Sequence, residues 1–406
     1  MTTKMISSAL LTICILFTAL FIPAASQALE YADLKKAASE GETKINLRYR
    51  YEYVDQDGID EEAGASTLLA RLAWNSGKIN GWQVGVAADY VALIGSERYN
   101  STENGLTEYP VVADPEGFDL NLAFLKYSGD KLTATAGRQR IVEYEQRFIG
   151  GVAWRQNEQT YDALRAEYKA SSKLRLDYSY VWNVNRIFGP DDGAQPSDWR
   201  SDSHFFSGTF DVAEDHSIEG FAYLLDFDND NGLPNSTATY GLTYRGTVGP
   251  VKLRGTYATQ SDYADSPLDY DADYYAFFAS TKLDPVTVSV GYEVLGSDDG
   301  VAAFRTPLAT LHKWQGWADK FLGTPADGIE DLYFGLAGAI GPVNLSATYH
   351  EFKSEEGSTD YGDEINIIAN YAVRDGVKLQ LKFADYNADE FATDTTKAWF
   401  SIIVAL

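Results

Sequence analysis

The sequence predicts an all-β fold, a transmembrane antiparallel β-barrel of about 18 strands with short periplasmic turns and long acidic extracellular loops. Stretches of alternating apolar and polar residues recur along the chain, and the connections between them alternate strictly between a long acidic loop and a tight turn. Aromatic residues make up 14% of the chain, which suits the aromatic girdles of a membrane barrel. Soluble sandwiches and jelly rolls are the alternative, but their connection lengths are less regular.

The first strand illustrates the alternation. Apolar and aromatic side chains occupy every second position, at Ile45, Leu47, Tyr49, Tyr51 and Tyr53. Polar side chains lie between them, at Asn46, Arg48, Arg50 and Glu52. Because successive side chains point to opposite faces, one face is apolar and the other is charged. About 18 such segments are predicted, at 44–54, 66–75, 82–93, 119–127, 131–140, 160–169, 173–183, 203–212, 217–226, 237–245, 251–260, 272–282, 286–295, 329–338, 343–352, 363–373, 377–385 and 396–406.

The N-terminal residues 1–28 are predicted to form a secretory signal peptide that is removed. Lys4 precedes an apolar run from Ala9 to Phe21, and Ser26-Gln27-Ala28 supplies small residues for cleavage before Leu29. A membrane-anchor helix is the alternative, but the run is short for a membrane span. Residues 29–43 are then a periplasmic lead-in, either a short helix or a frayed segment, and residues 44–406 form the barrel.

Composition argues against several classes of function. The one cysteine, Cys14, lies in the predicted signal peptide, so no disulfide, thiolate metal site or cysteine nucleophile is expected in the mature protein. A net charge of −26 argues against a nucleic-acid partner. The four histidines show no metal-ligand spacing and no evident nucleophile nearby. We therefore expect no catalytic residue, metal or cofactor, and a lipid-hydrolysing enzyme of the outer membrane is the disfavoured alternative.

Arginines concentrate at positions that face inward or lie near the outer mouth. The predicted pore-lining and selectivity residues are Arg48, Arg50, Arg71, Arg138, Arg140, Arg155, Arg165, Arg175, Arg245 and Arg254, and Lys252, Lys378 and Lys382 share the inward face. Rings of guanidinium groups favour the passage of anions. The alternative is that these arginines pair with inward carboxylates, which leaves a salt-bridged lining with no net selectivity. Strand parity does not decide between the two, and both stay open.

The longest connection, residues 296–328, is predicted to narrow the pore, because a barrel of this width would otherwise leak. After Pro307, apolar residues recur near helical spacing, which predicts a short helix on or inside the mouth. The predicted constriction residues are Leu311, Trp314, Trp317 and Phe321. The connection 94–118 is a second candidate for narrowing, and a helix lying on the rim is the alternative.

The external loops are acidic, and one of them is similar to a calcium loop. In the run Asp226–Gly232 the glycine comes one place late, and Thr237 stands where a bidentate glutamate is expected. A solvated acidic loop is therefore favoured over a metal site.

The last strand ends flush with the chain. Its alternating residues up to Leu406 resemble the C-terminal signal that the outer-membrane assembly machinery recognises, although such signals usually end in phenylalanine. The expected partners are this machinery, outer-membrane lipids and lipopolysaccharide, and small hydrophilic or anionic solutes.

Several longer strings resemble the alginate-export-like family of bacterial outer-membrane porins. The fifth strand and its loop carry the strongest likeness, at 137–141 and 146–160, and further likeness lies at 109–117, 183–189 and 306–321. The resemblance covers nearly all of the mature chain. It implies a monomeric barrel of about 18 strands, whose arginine-lined interior in the best-known member passes a polyanionic polysaccharide outward.

The expected function is that of an outer-membrane channel for passive diffusion of small hydrophilic solutes, with anions as the candidate preference. Two alternatives stay open. One is export of a polyanionic polysaccharide such as alginate, and the other is a plugged barrel that displays acidic loops for adhesion or lipopolysaccharide contact.

Overall fold

The computed structural model describes residues 30–406. The predicted signal peptide at 1–28, with Cys14, lies outside these residues. The described chain begins with helix α1 (Tyr31–Ser39), which falls in the predicted lead-in, and continues into strands. Within residues 30–406, no helix is both long enough and apolar enough to cross a membrane.

Eighteen strands form one antiparallel sheet, and two very short strands form a separate hairpin. Their bounds are β1 (Glu42–Gln56), β2 (Ala63–Asn75), β3 (Trp82–Leu93), β4 (Gly117–Ser128), β5 (Leu132–Gln139), β6 (Thr160–Lys169), β7 (Leu174–Asn185), β8 (Asp198–Ala213), β9 (His216–Leu225), β10 (Thr237–Val248), β11 (Val251–Asp262), β12 (Asp271–Leu283), β13 (Val286–Leu295), β14 (Ser297–Asp298), β15 (Ala302–Ala303), β16 (Ile329–Ile340), β17 (Val343–Lys353), β18 (Asp360–Arg374), β19 (Val377–Ala388) and β20 (Thr395–Ala405).

The sheet closes on itself. Each of the 18 strands pairs with its neighbours in chain order, with β13 next to β16, and β20 pairs with β1 through partners such as Leu47 with Val404 and Tyr51 with Phe400. Closure leaves no strand edge with unsatisfied backbone groups, which is what a lipid environment requires. The predicted all-β barrel of about 18 strands is confirmed, and each predicted segment overlaps one observed strand. The β14–β15 hairpin is an addition that alternation did not predict.

The two ends of the barrel differ in their connections. At one end the connections contain two to six residues, and at the other they contain six to 33. Several tight turns use a glycine in the left-handed region, such as Gly341 with φ 58° and Gly376 with φ 74°. Both chain termini lie at the tight-turn end, where the backbones of Ile45 and Leu406 exchange hydrogen bonds of 3.0 and 2.8 Å.

The two faces of the sheet are opposite in polarity. The outer face exposes large apolar side chains, such as Leu242 at 61% and Leu381 at 56%. The inner face buries polar ones, including Glu52 and Thr243. A polar interior with an apolar exterior is the reverse of a soluble barrel and is typical of a barrel surrounded by lipid.

Two long loops fold into the lumen and pack on each other. They are the β5–β6 loop (residues 140–159) and the β13–β16 loop (residues 296–328). The Gly150 N–H donates to the Leu308 carbonyl at 2.8 Å, and Phe148 packs with its ring centroid 5.3 Å from that of Tyr274 on the barrel wall. Ile149 and Phe304 join the same buried cluster. An apolar core therefore fills much of the lumen near the long-loop end.

The predicted helix in the β13–β16 loop is wrong. Only a single 3₁₀ turn forms there, at Leu311–Lys313. Gln315, Gly316 and Asp319 have positive φ values of 46°, 80° and 63°, which interrupt any helical run. The backbone N–H of Ala318, which a helix would use internally, donates instead to the carboxylate of Glu364 on the wall at 2.9 Å. The alternative of a helix on the rim is wrong as well, because the segment is buried in the lumen.

Candidate functional site

The two lumen loops meet at a stack of aromatic rings next to β19, β20 and β1. The imidazole of His312 lies parallel to the indole of Trp154, with the ring centroids 3.4 Å apart. The ring centroid of Trp317 lies 6.1 Å from that of His312, and Trp399 of β20 meets the imidazole edge-on at 5.7 Å. We call Trp154, His312 and Trp317 the septum, because these three side chains stand between two cavities of the lumen.

Charged side chains hold the septum to the wall. His312 Nδ1 lies 2.8 Å from Asp319 Oδ1, and its Nε2 lies 2.5 Å from Lys382 Nζ. Asp319 Oδ2 in turn accepts a hydrogen bond of 2.8 Å from Lys397 Nζ, and the guanidinium of Arg155 lies 3.8 Å away. These contacts tie both loops to β19 and β20.

The protonation states of the septum follow from these contacts. Burial lowers the pKa of His312 well below its ordinary value of 6.5, and the nearby Lys382 lowers it further. Burial alone would raise the pKa of Asp319, but Lys397, His312 and Arg155 together lower it. The imidazole is therefore neutral. Its Nε2 accepts from the ammonium of Lys382, and its Nδ1–H donates to the carboxylate of Asp319.

A cavity of about 240 Å³ lies on one side of the septum, against β1, β19 and β20. We call it the cationic pocket. Its lining holds four basic side chains and no carboxylate, and consists of Arg48, Arg50, Trp154, Lys378, Gln380, Lys382, Trp399, Ser401 and Ile403. Among residues 30–406, no carboxylate lies within 4 Å of the basic nitrogens of Arg48, Lys378 or Lys382.

The two arginines of the cationic pocket bind neutral acceptors. Arg50 Nη2 donates to the Trp154 carbonyl at 2.5 Å, while its Nε and Nη1 have no hydrogen-bond partner within the described chain. Its one carboxylate contact is a long one, 3.8 Å from Nη1 to Asp114 Oδ2. Arg48 donates to the side chain of Gln156 at 2.8 Å and to the Ala153 carbonyl at 3.0 Å. The positive charge of both guanidinium groups is therefore only weakly compensated by neighbouring carboxylates.

The other eight predicted arginines are arranged as in the salt-bridged alternative, because each has a carboxylate partner. The pairs are Arg71 with Asp89 and Glu158, Arg138 with Asp119 and Asp162, Arg140 with Glu158, Arg155 with Glu52, Arg165 with Glu143 and Asp177, Arg175 with Asp211, Arg245 with Glu219, and Arg254 with Glu145. Arg175 lies at the tight-turn end, where its side chain is half exposed. Arg48 differs from this set because it has no carboxylate of the described residues within 4 Å, and Arg50 has only the contact of 3.8 Å with Asp114.

The predicted constriction residues lie in different surroundings. Trp314 and Trp317 reach the lumen, and the guanidinium groups of Arg147 and Arg254 lie 5.4 and 5.8 Å from the Trp314 ring centroid. Phe321 instead packs against wall aromatics, with its ring centroid 4.7 Å from that of Phe352. Leu311 lies in the 3₁₀ turn. Phe321 is therefore an anchor of the loop.

Sequence reasoning did not select Trp154, His312, Lys378 and Lys382 as site residues. Parity alone puts the two lysines inward, but closure of β20 on β1 is what places them beside Arg48. Trp154 and His312 carry no local signal, because their role depends on two loops that meet. No group of three or more histidine, cysteine, aspartate or glutamate side chains within residues 30–406 could hold a metal ion.

A second cavity, of about 670 Å³, lies on the other side of the septum against β10–β13 and β16–β18. We call it the large cavity. Trp317 lines it, and the ammonium of Lys382, which lines the cationic pocket, lies 4.1 Å from the Trp317 ring centroid. The two cavities are therefore neighbours at Lys382 and Trp317.

The family model described as "Alginate export" matches residues 41–280, which is more than half of the chain. The chain belongs to the alginate export family. The match covers the strands and loop that contribute Arg48, Arg50 and Trp154 to the cationic pocket. No curated protein sequence matches the chain significantly.

Solved structures share the fold of this alginate export family member. OccAB4 of Acinetobacter baumannii is 16% identical, with a TM-score of 0.70 over 91% of this chain and 99% of that one. OccK3 (OpdO) of Pseudomonas aeruginosa is 14% identical, with a TM-score of 0.67 over 94% of this chain and 99% of that one. Both are outer-membrane porins.

These likenesses, together with the family, place the protein in the bacterial outer membrane. Barrels of this membrane have their tight turns in the periplasm and their long loops outside. The end that carries Leu406 is accordingly periplasmic, and the apolar outer face contacts lipid.

Proposed function

We propose that this protein is a channel for passive diffusion of small hydrophilic solutes across the outer membrane, and that it prefers anions. The observation that supports the proposal is the cationic pocket, which brings together Arg48, Arg50, Lys378 and Lys382 with no carboxylate in its lining. The likeness to outer-membrane porins supports the channel part.

The hydrogen bonding of Arg50 explains why an anion is favoured. A buried donor without a partner costs about 1–3 kcal/mol, and more when it is charged. Arg50 is 5% exposed, and two of its guanidinium nitrogens have no partner in the described chain. The guanidinium lines the cationic pocket, where its positive charge attracts the carboxylate of a solute.

The shape of the cationic pocket favours a small solute. Its volume of about 240 Å³ falls below the roughly 300–1,000 Å³ of ordinary ligand sites. Trp154 and Trp399 supply an apolar wall against which a carbon skeleton can pack. Such a site binds a small organic anion weakly, and weak binding is what permeation requires.

Planar-bilayer recording tests the proposal. Under a salt gradient, the wild-type reversal potential should indicate anion preference. Combined replacement of the four pocket cations, Arg48→Gln, Arg50→Gln, Lys378→Gln and Lys382→Gln, should move it toward cations. The matched control is Arg175→Gln with Asp211→Asn, a charge-neutral change at the periplasmic end that should leave the reversal potential unchanged. An unchanged potential in the fourfold variant would contradict the anion claim.

Export of a polyanionic polysaccharide is the second candidate, and the family match favours it. A polymer needs a continuous path, whereas the Gly150–Leu308 contact joins two loops inside the lumen. Oligouronates of increasing length, added on the periplasmic side, distinguish the two functions. Occlusion of the current that grows steeply with chain length supports export, and equal effects of monomer and oligomer support the small-solute channel. A folded barrel that conducts no ions would support the plugged display alternative.

We further propose that the channel is a monomer and that its rim contacts lipopolysaccharide. The closed barrel supports the first point, because its polar lumen is complete within one chain. Cross-linking in outer-membrane vesicles tests whether the channel is a monomer.

A further inference from the structure

The inner wall formed by β13, β16, β17 and β18 differs from the rest of the lumen in having a long uncharged stretch. From the level of Glu293, Asp331 and His350 to the periplasmic end, the inward positions of β13, β16 and β17 carry no acidic or basic side chain. We call this stretch, with its continuation on β18, the neutral lane. Its polar members include Thr287, Asn344, Ser346, Thr348, Asn366 and Asn370.

The neutral lane connects two cavities. A cavity of about 440 Å³ near the periplasmic turns is lined by Thr287, Ser346 and Asn370 among others, all uncharged. The large cavity above it is lined by Thr348 and Asn366. Since Ser346 and Thr348 are successive inward positions of one strand, roughly 7 Å apart, the two cavities lie one above the other. A solute entering from the periplasm meets the lane first.

The large cavity has a balanced charge. Its lining holds four lysine and arginine side chains, Arg245, Lys252, Arg254 and Lys313, four carboxylates, Glu145, Asp215, Glu293 and Asp331, and His350. Most of these charged groups already have a partner of opposite charge within the protein. Arg245 and Arg254 share Glu145, and Asp331 binds His350 at 2.9 Å. Unlike the cationic pocket, this cavity offers an anion no net attraction.

The large cavity also has the groups that bind sugars. Asn366 is 1% exposed, and its amide Nδ2 has no partner in the described chain, while its Oδ1 accepts the Trp317 N–H at 3.0 Å. Thr348 adds a hydroxyl, and Phe278 and Tyr333 add aromatic rings. Amide and hydroxyl groups bind the hydroxyls of a sugar, and aromatic rings pack against its C–H faces.

We propose that the neutral lane and the large cavity form a binding site and path for an uncharged saccharide of one or two rings. The inference rests on the proposed channel function and adds a substrate class to it. The cavity volume of about 670 Å³ lies within the usual range for ligand sites of roughly 300–1,000 Å³. The path lies next to the cationic pocket, since Asn370 of the lane accepts a hydrogen bond of 2.9 Å from Gln380 of the pocket, so the two solute classes use neighbouring stretches of the wall.

Two matched substitutions test the separation. Ser346→Phe narrows the neutral lane, and Ser401→Phe narrows the cationic pocket with the same added ring. Uptake into proteoliposomes is measured by swelling with glucose, maltose and glucuronate. Ser346→Phe should lower the glucose and maltose rates about tenfold, equivalent to ~1.4 kcal/mol, and leave the glucuronate rate nearly unchanged. Ser401→Phe should give the opposite result.

The heat-dependent gel mobility of barrels shows whether Ser346→Phe folds. A milder variant serves if it does not. Thr348→Val keeps the side-chain shape and removes one hydroxyl. Maltose should reduce the ion current of the wild type, and should do so several-fold less well in Thr348→Val.

The outcomes separate the two proposals. Glucuronate flux without sugar flux, or equal loss of both solutes in Ser346→Phe, overturns the neutral-lane inference alone. A folded wild type with neither ion current nor solute flux overturns the channel function, and the inference with it.

Discussion

Two neighbouring regions of the lumen wall obey the same strand alternation but carry different chemistry. They are the cationic pocket on β19, β20 and β1 and the neutral lane on β13, β16, β17 and β18. Both point polar side chains inward. On one side Arg48 and Lys382 keep their charge free of carboxylates, and on the other side Thr348 and Asn366 carry none. We therefore expect selectivity to vary around the circumference of this barrel.

The two sides also differ in how the chain builds them. The neutral lane comes from strands that follow one another in sequence, whereas the cationic pocket joins the first strand to the last two. Closure of the barrel is therefore a condition for the anion site. The septum lies beside the cationic pocket, and its loops are held by buried ion pairs.

The largest expected effect is on the docking of the β5–β6 loop against the barrel wall. Arg147 is fully buried and donates to Glu293 at 2.7 Å and to Thr306 at 2.9 Å. Arg147→Ala leaves a buried carboxylate unpaired, which costs about 3–5 kcal/mol, and should release the β5–β6 loop from the wall. Limited proteolysis of that loop and single-channel conductance should both increase. Arg147→Lys, which keeps the charge, should show a smaller effect, and an intact loop in Arg147→Ala would contradict this role.

Adding positive charge to the neutral lane should make its attraction for anions more similar to that of the cationic pocket. Ser346→Lys with Thr348→Lys places two cations on the uncharged wall. At roughly 10 Å and an effective dielectric constant of about 20, each favours an anion by about 1–2 kcal/mol. The reversal potential should shift further toward anions. Ser401→Lys, which adds a cation where four already lie, is the control and should shift it less.

Acid should weaken the septum through His312. The docked imidazole has a lowered pKa, so a released loop binds a proton that the docked loop does not. Docking is accordingly at full strength above pH 6.5 and weakens as the pH falls below it, by at most about 1.4 kcal/mol per pH unit. Asp319, whose pKa is lowered, contributes stability that is lost only at more acidic pH. Proteolysis of the β13–β16 loop should increase between pH 6.5 and 5 in the wild type and stay flat in His312→Phe.

The smallest effect is expected at Arg175 and Asp211, a pair at the periplasmic end with its guanidinium half exposed. Exposed pairs contribute about 0–1 kcal/mol. Arg175→Gln should change the thermal unfolding midpoint and the ion selectivity very little. A large shift in selectivity would show that arginines with a partner also act on solutes, and would weaken the contrast between the two sides.

Much of the fold follows from local sequence, and less of the site does. Alternation along β1 puts Arg48 and Arg50 on one face and Tyr49 and Tyr51 on the other, and the structure has them so. The same rule predicts nothing about the loops, because side chains alternate between faces only in strands. It therefore places neither Trp154 nor His312, and it predicts a helix where the backbone N–H groups of Trp317 and Ala318 donate to Glu364.

The sequence by itself determined the strands, their inner and outer faces and the alternation of long and short connections, because a side-chain period of two is a property of neighbouring residues. Only the tertiary structure decided which cations stay unpaired and how the lumen is divided. The reason is distance along the chain. Arg155 meets Glu52 across 103 residues, and Arg147 meets Glu293 across 146, and no local pattern specifies which carboxylate a given arginine finds once the barrel has closed.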